Sequence, residues 1–411
     1  MRKLLFLVVA ACGPGDHADI PVPPDANTLP PGVWEPDPGT GRLDAIAVTS
    51  GDSVWFAYRR VPNAGDGYWL TKTTTDGQPI VAPVKFDANV FYRTRAIAAT
   101  DSSVVLASAD RNESTVLVRR FDQAGLESSR VTIELGEPLY GPMSLVAKPS
   151  GEAKLVVAGN VHEIVAIDVD GASTPTTVGM RVPRYQASRV AATFAPDGEL
   201  VVGWDLVYER CYDFEPFTAH TAVVHGDGVA EAPSVLRDLP DHSEYAPALS
   251  PSFAAWQQDD DVTHVNATIA VAALGDLGTV YEVADPEESF NYQPLLAEES
   301  PGRAAIAWLG DHGRYIAALV RDASGVRVGV VRDIPKVHPS ARPTIDALLS
   351  IGNGRYLVTW SETIDTPSFG PDARQYAMTF DLSNDPSPRV ARPARTMPAR
   401  PRGMHRIAPC L

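Results

Sequence analysis

The residues able to carry chemistry are few, and none of them completes a catalytic motif. The nine histidines are scattered and lack the HxH or HExxH spacing that binds zinc. Asp168-Val169-Asp170-Gly171 has the first ligands of a calcium loop without the later ones. Asp259, Asp260 and Asp261 precede His264 in a denser cluster, which is more typical of a solvated acidic loop than of a site. The sequence therefore predicts no cofactor, no metal site and no catalytic residue.

The longest insertion, Asp205 to Phe217, carries aromatic side chains among acidic ones. Aromatic rings on an extended loop suit contact with a carbohydrate or a protein, because they bury much area at low entropy cost. The same rings can instead cap the edge of a sheet, and both alternatives stay open. A second long loop is predicted from Thr363 to Arg374, with Phe369 and Asp372 in it. The candidate ligand-binding residues of the first loop are Tyr208, Tyr212, Phe214 and Phe217.

A repeat in the sequence predicts the β-strands that the two loops connect. Each unit has a short apolar strand, a turn with Gly, Asp or Ser, a second apolar strand and a third strand, and most units have a fourth. Four short antiparallel strands per unit are typical of a β-propeller blade. One blade cannot bury both faces of its sheet, so we expect about seven blades to pack on one another and close into a ring. The units begin, at steps of 46 to 58 residues, at Leu43, Arg95, Met143, Arg189, Pro247, Pro294 and Pro343.

Small and bulky residues occupy different strands of the unit. The first strands are small and apolar, as in AIAV, AIAAT and VAAT, which suits a crowded ring axis. Trp55 lies three residues earlier in its unit than the other tryptophans of the repeat do in theirs. We expect all of these rings to pack between blades. The tryptophans at the end of the second strand are Trp204, Trp256, Trp308 and Trp360.

Some features of the architecture remain open. Two β-sandwich domains are the alternative fold, which the single regular period disfavours, and six or eight blades are alternative counts. The fourth strand of the last unit, around Pro388 to Ala394, is poor. It is either absent or supplied by the N-terminal segment near Val33, which would close the ring.

Composition limits the class of protein. A hydrophobic fraction of 44% allows a large core, and 36 prolines in 411 residues favour short strands and turns over helices. The formal net charge of −16 argues against nucleic acid as a partner, since nucleic-acid binding depends on neutralising phosphates. The simplest explanation of the negative net charge is that it keeps the protein soluble.

The N-terminus has a positive start, Arg2-Lys3, an apolar run and then Val9-Ala10-Ala11-Cys12. This pattern resembles the lipobox of bacterial lipoproteins, a resemblance that implies lipidation of Cys12 and a lipid anchor in the cell envelope, at the outer membrane. The units likewise resemble the degenerate propeller repeats of secreted bacterial lipoproteins. The expected domains are a signal peptide (1–11), a Pro-rich tether (12–42), a propeller (43–392) and a basic tail (393–411).

The tail after Asp385 has arginines and no acidic residue, and we hypothesise that it folds over the acidic ring. An extended tail of this length can cross one face of the ring and bring Cys410 to Cys211. An envelope location permits that disulfide, although spacing alone cannot establish a pairing.

These features favour a non-catalytic propeller that binds or scaffolds a protein or glycan partner at the envelope. The alternative is a glycan-active hydrolase or lyase with acidic residues at the mouth of the propeller channel, an analogy at the level of the fold. A third hypothesis is a purely structural envelope component.

Overall fold

Seven antiparallel sheets follow one another along the chain in the computed structural model, which confirms the predicted all-β propeller. The first strands of successive sheets contact one another in cyclic order, and the last contacts the first, so the sheets form a ring. Among the described residues, no helix is long and apolar enough to cross a bilayer. The structure describes residues 29–37, 42–60, 67–87, 93–110, 114–135, 139–159, 163–170, 175–180, 185–186, 189–208, 218–226, 228–236, 243–259, 267–283, 291–311, 313–323, 325–339, 341–366, 370–383 and 389–390.

A short strand, β1 (Val33–Trp34), precedes the first blade. Blade one has β2 (Arg42–Ser50), β3 (Ser53–Arg60), β4 (Gly67–Thr74) and β5 (Pro79–Asp87). Blade two has β6 (Arg93–Ala99), β7 (Ser103–Asp110), β8 (Thr115–Asp122) and β9 (Glu127–Glu134). Blade three has β10 (Leu139–Ala147), β11 (Ala153–Gly159), β12 (Glu163–Asp168) and β13 (Thr176–Met180). Blade four has β14 (Tyr185–Gln186), β15 (Val190–Phe194), β16 (Leu200–Tyr208), β17 (Thr218–Val224) and β18 (Ser234–Val235).

The last three blades continue the pattern. Blade five has β19 (Ser243–Leu249), β20 (Phe253–Asp259), β21 (Ala267–Ala273) and β22 (Asp276–Glu282). Blade six has β23 (Asn291–Ser300), β24 (Arg303–Gly310), β25 (Arg314–Asp322), β26 (Gly325–Val328) and β27 (Arg332–Asp333). Blade seven has β28 (Arg342–Pro343), β29 (Ala347–Ser350), β30 (Arg355–Thr366) and β31 (Gly370–Asp381), and a final short strand is β32 (Arg389–Val390).

Burial changes across each blade. The second strands are covered on both faces by neighbouring blades, and β20 is buried at every position. The sequence of such a strand is a continuous apolar run, without alternation of apolar and polar residues, because neither face of the strand contacts water. The outermost strands β5 and β9 are mostly exposed. The core therefore lies between blades, at their second and third strands.

The tryptophans pack between blades, as predicted. Trp204 packs on blade three, and Trp256, Trp308 and Trp360 likewise pack on the blade before their own. Trp55 packs instead on the following blade, against Leu106 and Phe121. Side chains alternate between the two faces of a strand, so a shift of three residues moves the ring to the opposite face. Tyr58 occupies the vacated position and packs toward blade seven.

The ring closes through its N-terminal strand. β1 pairs antiparallel with β31, with Val33 opposite Met378, and so forms the outermost strand of blade seven. Of the two alternatives for the last blade, the structure thus has the one in which the N-terminal segment near Val33 supplies the closing strand. That segment lies within residues 12–42, the predicted tether. The segment near Pro388 does not complete blade seven, because β32 pairs with β26 of blade six.

Candidate functional site

The two faces of the ring carry different connections. One face, which we call the loop face, has the connections between second and third strands and between successive blades. The other, the turn face, has the tight turns between first and second strands, such as Gly51 and Gly302. Long connections on a rigid scaffold are where binding and catalytic residues concentrate. The loop face is therefore the first place to look for a site.

The predicted aromatic loop begins on the loop face. Tyr208 is the last residue of β16 and pairs with Tyr185 of β14. The rest of the candidate set, Tyr212, Phe214 and Phe217, lies outside the described residues, and so do Cys12, Cys211 and Cys410. Ligand binding by this loop, lipidation and the disulfide stay predictions.

The second predicted loop, Thr363 to Arg374, is wrong. β30 and β31 continue as a paired hairpin as far as Thr366 and Gly370. The two strands have 12 residues each and extend past the buried Trp360 onto the loop face. The extension lacks apolar alternation in the sequence, which is the signal by which a strand is predicted.

The acidic clusters are used in local contacts where the structure describes them. Asp168 forms an ion pair with Lys154, and Asp170 pairs with Arg120 at 2.7 Å. Asp259 is fully buried and accepts a hydrogen bond from the Gln257 amide at 3.3 Å. Within the described ranges, no three His, Cys, Asp or Glu side chains come together as a metal site.

Buried carboxylates instead fasten the loop face. Asp205 follows Trp204 at the end of β16 and has no exposed surface. Its two oxygens accept hydrogen bonds from the backbone N–H of Arg189, at 2.8 Å, and of Ala246 in the next blade, at 3.0 Å. Ala246 has a φ of +54°, a conformation that costs energy for a residue with a Cβ. Asp205 thus joins blades four and five and holds a bulge in β19.

His220 lies beside this carboxylate. Its ring stacks on Trp204, with centroids 5.6 Å apart. Burial lowers the pKa of the His220 imidazole, and the nearby Asp205 charge opposes that shift. The stacked ring is therefore suited to its neutral form at neutral pH.

Glu362 fastens the junction of blades six and seven in the same way. It lies two residues after Trp360, is fully buried, and accepts a hydrogen bond from the Arg314 guanidinium at 2.5 Å. Its carboxylate also accepts hydrogen bonds from the backbone N–H of Val337, at 3.0 Å, and from that of His338, at 2.7 Å. Burial lowers the pKa of the Arg314 guanidinium, and the bond to Glu362 opposes the shift. A buried ion pair with this many donors holds the connection between β27 and β28 in place.

His338 is the titratable side chain that this arrangement presents to solvent. The ring is half-buried, and its Nε2 lies 3.0 Å from the hydroxyl of the fully buried Tyr376. Within the part of the chain that the structure describes, Nδ1 has no partner. When Nε2–H donates to Tyr376, Nδ1 carries the lone pair and can accept a proton. Backbone and ring are both fixed, so the arrangement is suited to general acid–base chemistry.

Sequence reasoning missed His338, Tyr376, Arg314 and Glu362. The available signal was a carboxylate inside an apolar strand, two residues after a repeat tryptophan, which predicts a buried charge in need of a partner. The partners come from another blade and a connecting segment, and one sequence does not identify them.

No protein-family profile and no curated protein matches the chain. Among solved structures, the chain is similar to a Mycobacterium tuberculosis puromycin-hydrolyzing peptidase, at 16% identity and TM-score 0.53, over 87% of this chain and 54% of that one. It is also similar to the β-propeller domain of the Trilobed protease from Pyrococcus furiosus, at 10% identity and TM-score 0.50, over 84% and 99%. The chain thus spans about half the length of the puromycin-hydrolyzing peptidase.

At these identities the likeness establishes the propeller fold. The Pyrococcus domain is described as having an open Velcro topology, whereas here β1 completes blade seven. The first of these structures is a peptidase and the second is a domain of a protease, and this finding contradicts the expectation of a non-catalytic binding or scaffolding propeller.

Proposed function

We propose that this protein takes part in the hydrolysis of peptide-like amides, with the loop face meeting the substrate. The observation that carries the proposal is His338, held at that face by Tyr376 and Glu362 with one ring nitrogen open. The proposed class of substrate is taken from the two similar solved structures, a puromycin-hydrolyzing peptidase and the propeller domain of a protease.

The proposed chemistry assigns one role to each residue. A water attacks the amide carbonyl carbon, and His338 Nδ1 takes the proton that the water loses. The resulting imidazolium returns that proton to the leaving amine, so the products are a carboxylic acid and an amine. Tyr376 is a positioning residue: in the tautomer that we propose, its hydroxyl accepts the hydrogen bond from Nε2–H, which leaves the lone pair on Nδ1. Glu362 positions the same side chain through the backbone N–H of His338.

The test is turnover of aminoacyl p-nitroanilides by the purified full chain, with p-nitrophenyl glycosides as the competing class. His338→Gln should lower kcat by about 10²- to 10⁴-fold, the usual contribution of a general base. Tyr376→Phe should lower kcat by a smaller factor. His225→Gln is the matched control, because His225 lies at a turn beside Glu199 and Glu231 on the opposite face.

Three results would contradict the proposal. Turnover of neither class by the intact chain would remove its basis. Cleavage of glycosides alone would overturn the amide class. Equal kcat for the wild type and His338→Gln would overturn the role of His338.

We also propose that the chain is anchored in the cell envelope through lipid on Cys12. The support is the sequence Val9-Ala10-Ala11-Cys12 behind a positive, apolar start. The mass of the N-terminal peptide from detergent-extracted native protein tests it. A diacylated Cys12 supports the anchor and its envelope location, whereas an unmodified Met1 contradicts both. The proposed Cys211–Cys410 disulfide is tested by the intact mass of oxidised protein with and without alkylation.

A further inference from the structure

A cleft opens on the turn face between blades six and seven, at the end of β30 remote from His338. Its volume is about 280 Å³. Tyr356 and Glu362 are both in β30, six residues apart, which places the cleft about 20 Å from the Glu362 cluster at 3.3 Å per residue. Its polar lining consists of Glu299, Arg303, Asp322, Arg327, Tyr356 and Ser383.

Tyr356 presents an unused donor to this cleft. Its side chain is only 3% exposed, yet its hydroxyl forms no hydrogen bond within the part of the chain that the structure describes. Burial raises the pKa of this hydroxyl, and Glu299 raises it further. The group therefore stays protonated at neutral pH. The ring is buried, but water can reach the hydroxyl, so a bound acceptor can take the place of a water molecule there.

Two charged side chains near Tyr356 can form further hydrogen bonds or ion pairs. Arg303 is exposed at the rim, and its guanidinium has no ion-pair partner among the residues described. Glu299 Oε1 accepts a hydrogen bond from the backbone N–H of Gly354 at 2.8 Å. This bond fixes the carboxylate and leaves Oε2 available to a ligand. The other arginine, Arg327, already pairs with Asp322 at 2.9 Å. The cleft thus offers a cationic donor, a neutral donor and an anionic acceptor.

We propose that this cleft binds a small zwitterion the size of an amino acid or dipeptide. Arg303 and Tyr356 receive its carboxylate, and Glu299 receives its ammonium group. The volume is close to the lower end of the range of about 300 to 1,000 Å³ for ligand pockets, which suits a ligand of this size. The site is independent of the hydrolytic proposal, because it lies on the other face and its test involves no turnover.

The direct test is titration calorimetry with glycyl-leucine of the full chain carrying His338→Gln, which removes the proposed general base so that the dipeptide is not turned over. Glycyl-leucinamide and N-acetyl-glycyl-leucine each lack one charge, and each should bind about tenfold more weakly or worse, since a hydrogen bond to a charged group is lost. Arg303→Gln should weaken glycyl-leucine binding by a similar factor. Tyr356→Phe, which keeps the ring, should weaken binding by about threefold to tenfold.

The matched controls are Arg355→Gln, an exposed arginine that does not line the cleft, and Tyr281→Phe, a buried tyrosine of blade five. Both should bind glycyl-leucine as the wild type does. Absence of binding at millimolar glycyl-leucine overturns the site. Equal binding of the amide overturns the assignment to Arg303 and Tyr356, and equal binding of the acetylated form overturns that to Glu299. A dipeptide-induced rise in melting temperature, lost in folded Arg303→Gln, provides a second readout.

Discussion

Replacing Trp34 by alanine should open the ring at the seam between blades seven and one. β1 contributes two residues to blade seven, and the Trp34 ring meets Phe56 of blade one edge-on, with centroids 5.8 Å apart. Gly77 leaves room for that ring, because a Cβ at this position would lie 2.6 Å from it. Large aromatic side chains cost about 3–5 kcal/mol when truncated in a core. Trp34 is only half-buried, so we expect a loss of about 2 kcal/mol.

Thermal and denaturant unfolding followed by far-UV circular dichroism measures this loss. With an unfolding entropy near 2.1 cal/mol/K per residue, about 2 kcal/mol lowers Tm by about 3 °C for a propeller of about 350 residues. Hydrogen exchange should become faster in β31 and in blade one, while blade four keeps its protection.

Leu126→Ala is the control, since Leu126 is 66% exposed on blade two, and its Tm should be unchanged. An unchanged midpoint for Trp34→Ala, or exchange that accelerates equally in every blade, would refute closure by β1.

Three further predictions concern the buried contacts between blades. Glu362→Gln leaves the Arg314 guanidinium buried without its counter-charge and should cost about 3–5 kcal/mol in denaturant unfolding, most of which a second change, Arg314→Met, should restore. Gly179→Ala places a methyl group 2.6 Å from the Trp204 ring and should cost about 1–3 kcal/mol, whereas Gly226→Ala, with open space around it, should be neutral in the same assay. His220 has a lowered pKa in the folded state, so the unfolded chain binds the proton first, and stability should fall as pH drops below 6.5. His220→Gln should flatten that part of the pH profile of unfolding free energy, and an unchanged slope would refute the assignment.

The strand content of the blades could be predicted because its signals are local. The units, their Gly- and Asp-containing turns and the small first strands all appear at near-regular spacing. Even the different packing of Trp55 follows from an odd shift along a strand of period two. The extended hairpin of blade seven could not be predicted, because its outer half is polar and lacks apolar periodicity.

The candidate site was largely beyond prediction. Asp205 and Glu362 each closely follow a repeat tryptophan, which indicates a buried charge but does not identify its partner. Their burial depends on donors from other parts of the chain, the backbone N–H of Ala246 and the guanidinium of Arg314. The cleft at Tyr356 likewise exists only where blades six and seven meet.

Local sequence is enough to predict a series of four-stranded blades, because strand periodicity and turn chemistry are properties of neighbouring residues. The tertiary structure is needed to establish which strand closes the ring, which carboxylates are buried and which histidine lies against Tyr376 and Glu362. Those outcomes depend on contacts between segments far apart along the chain, such as β1 with β31 and Glu362 with Arg314. Such contacts form when packing removes water from particular pairs of blades, and local pattern does not specify which side chains are then brought together.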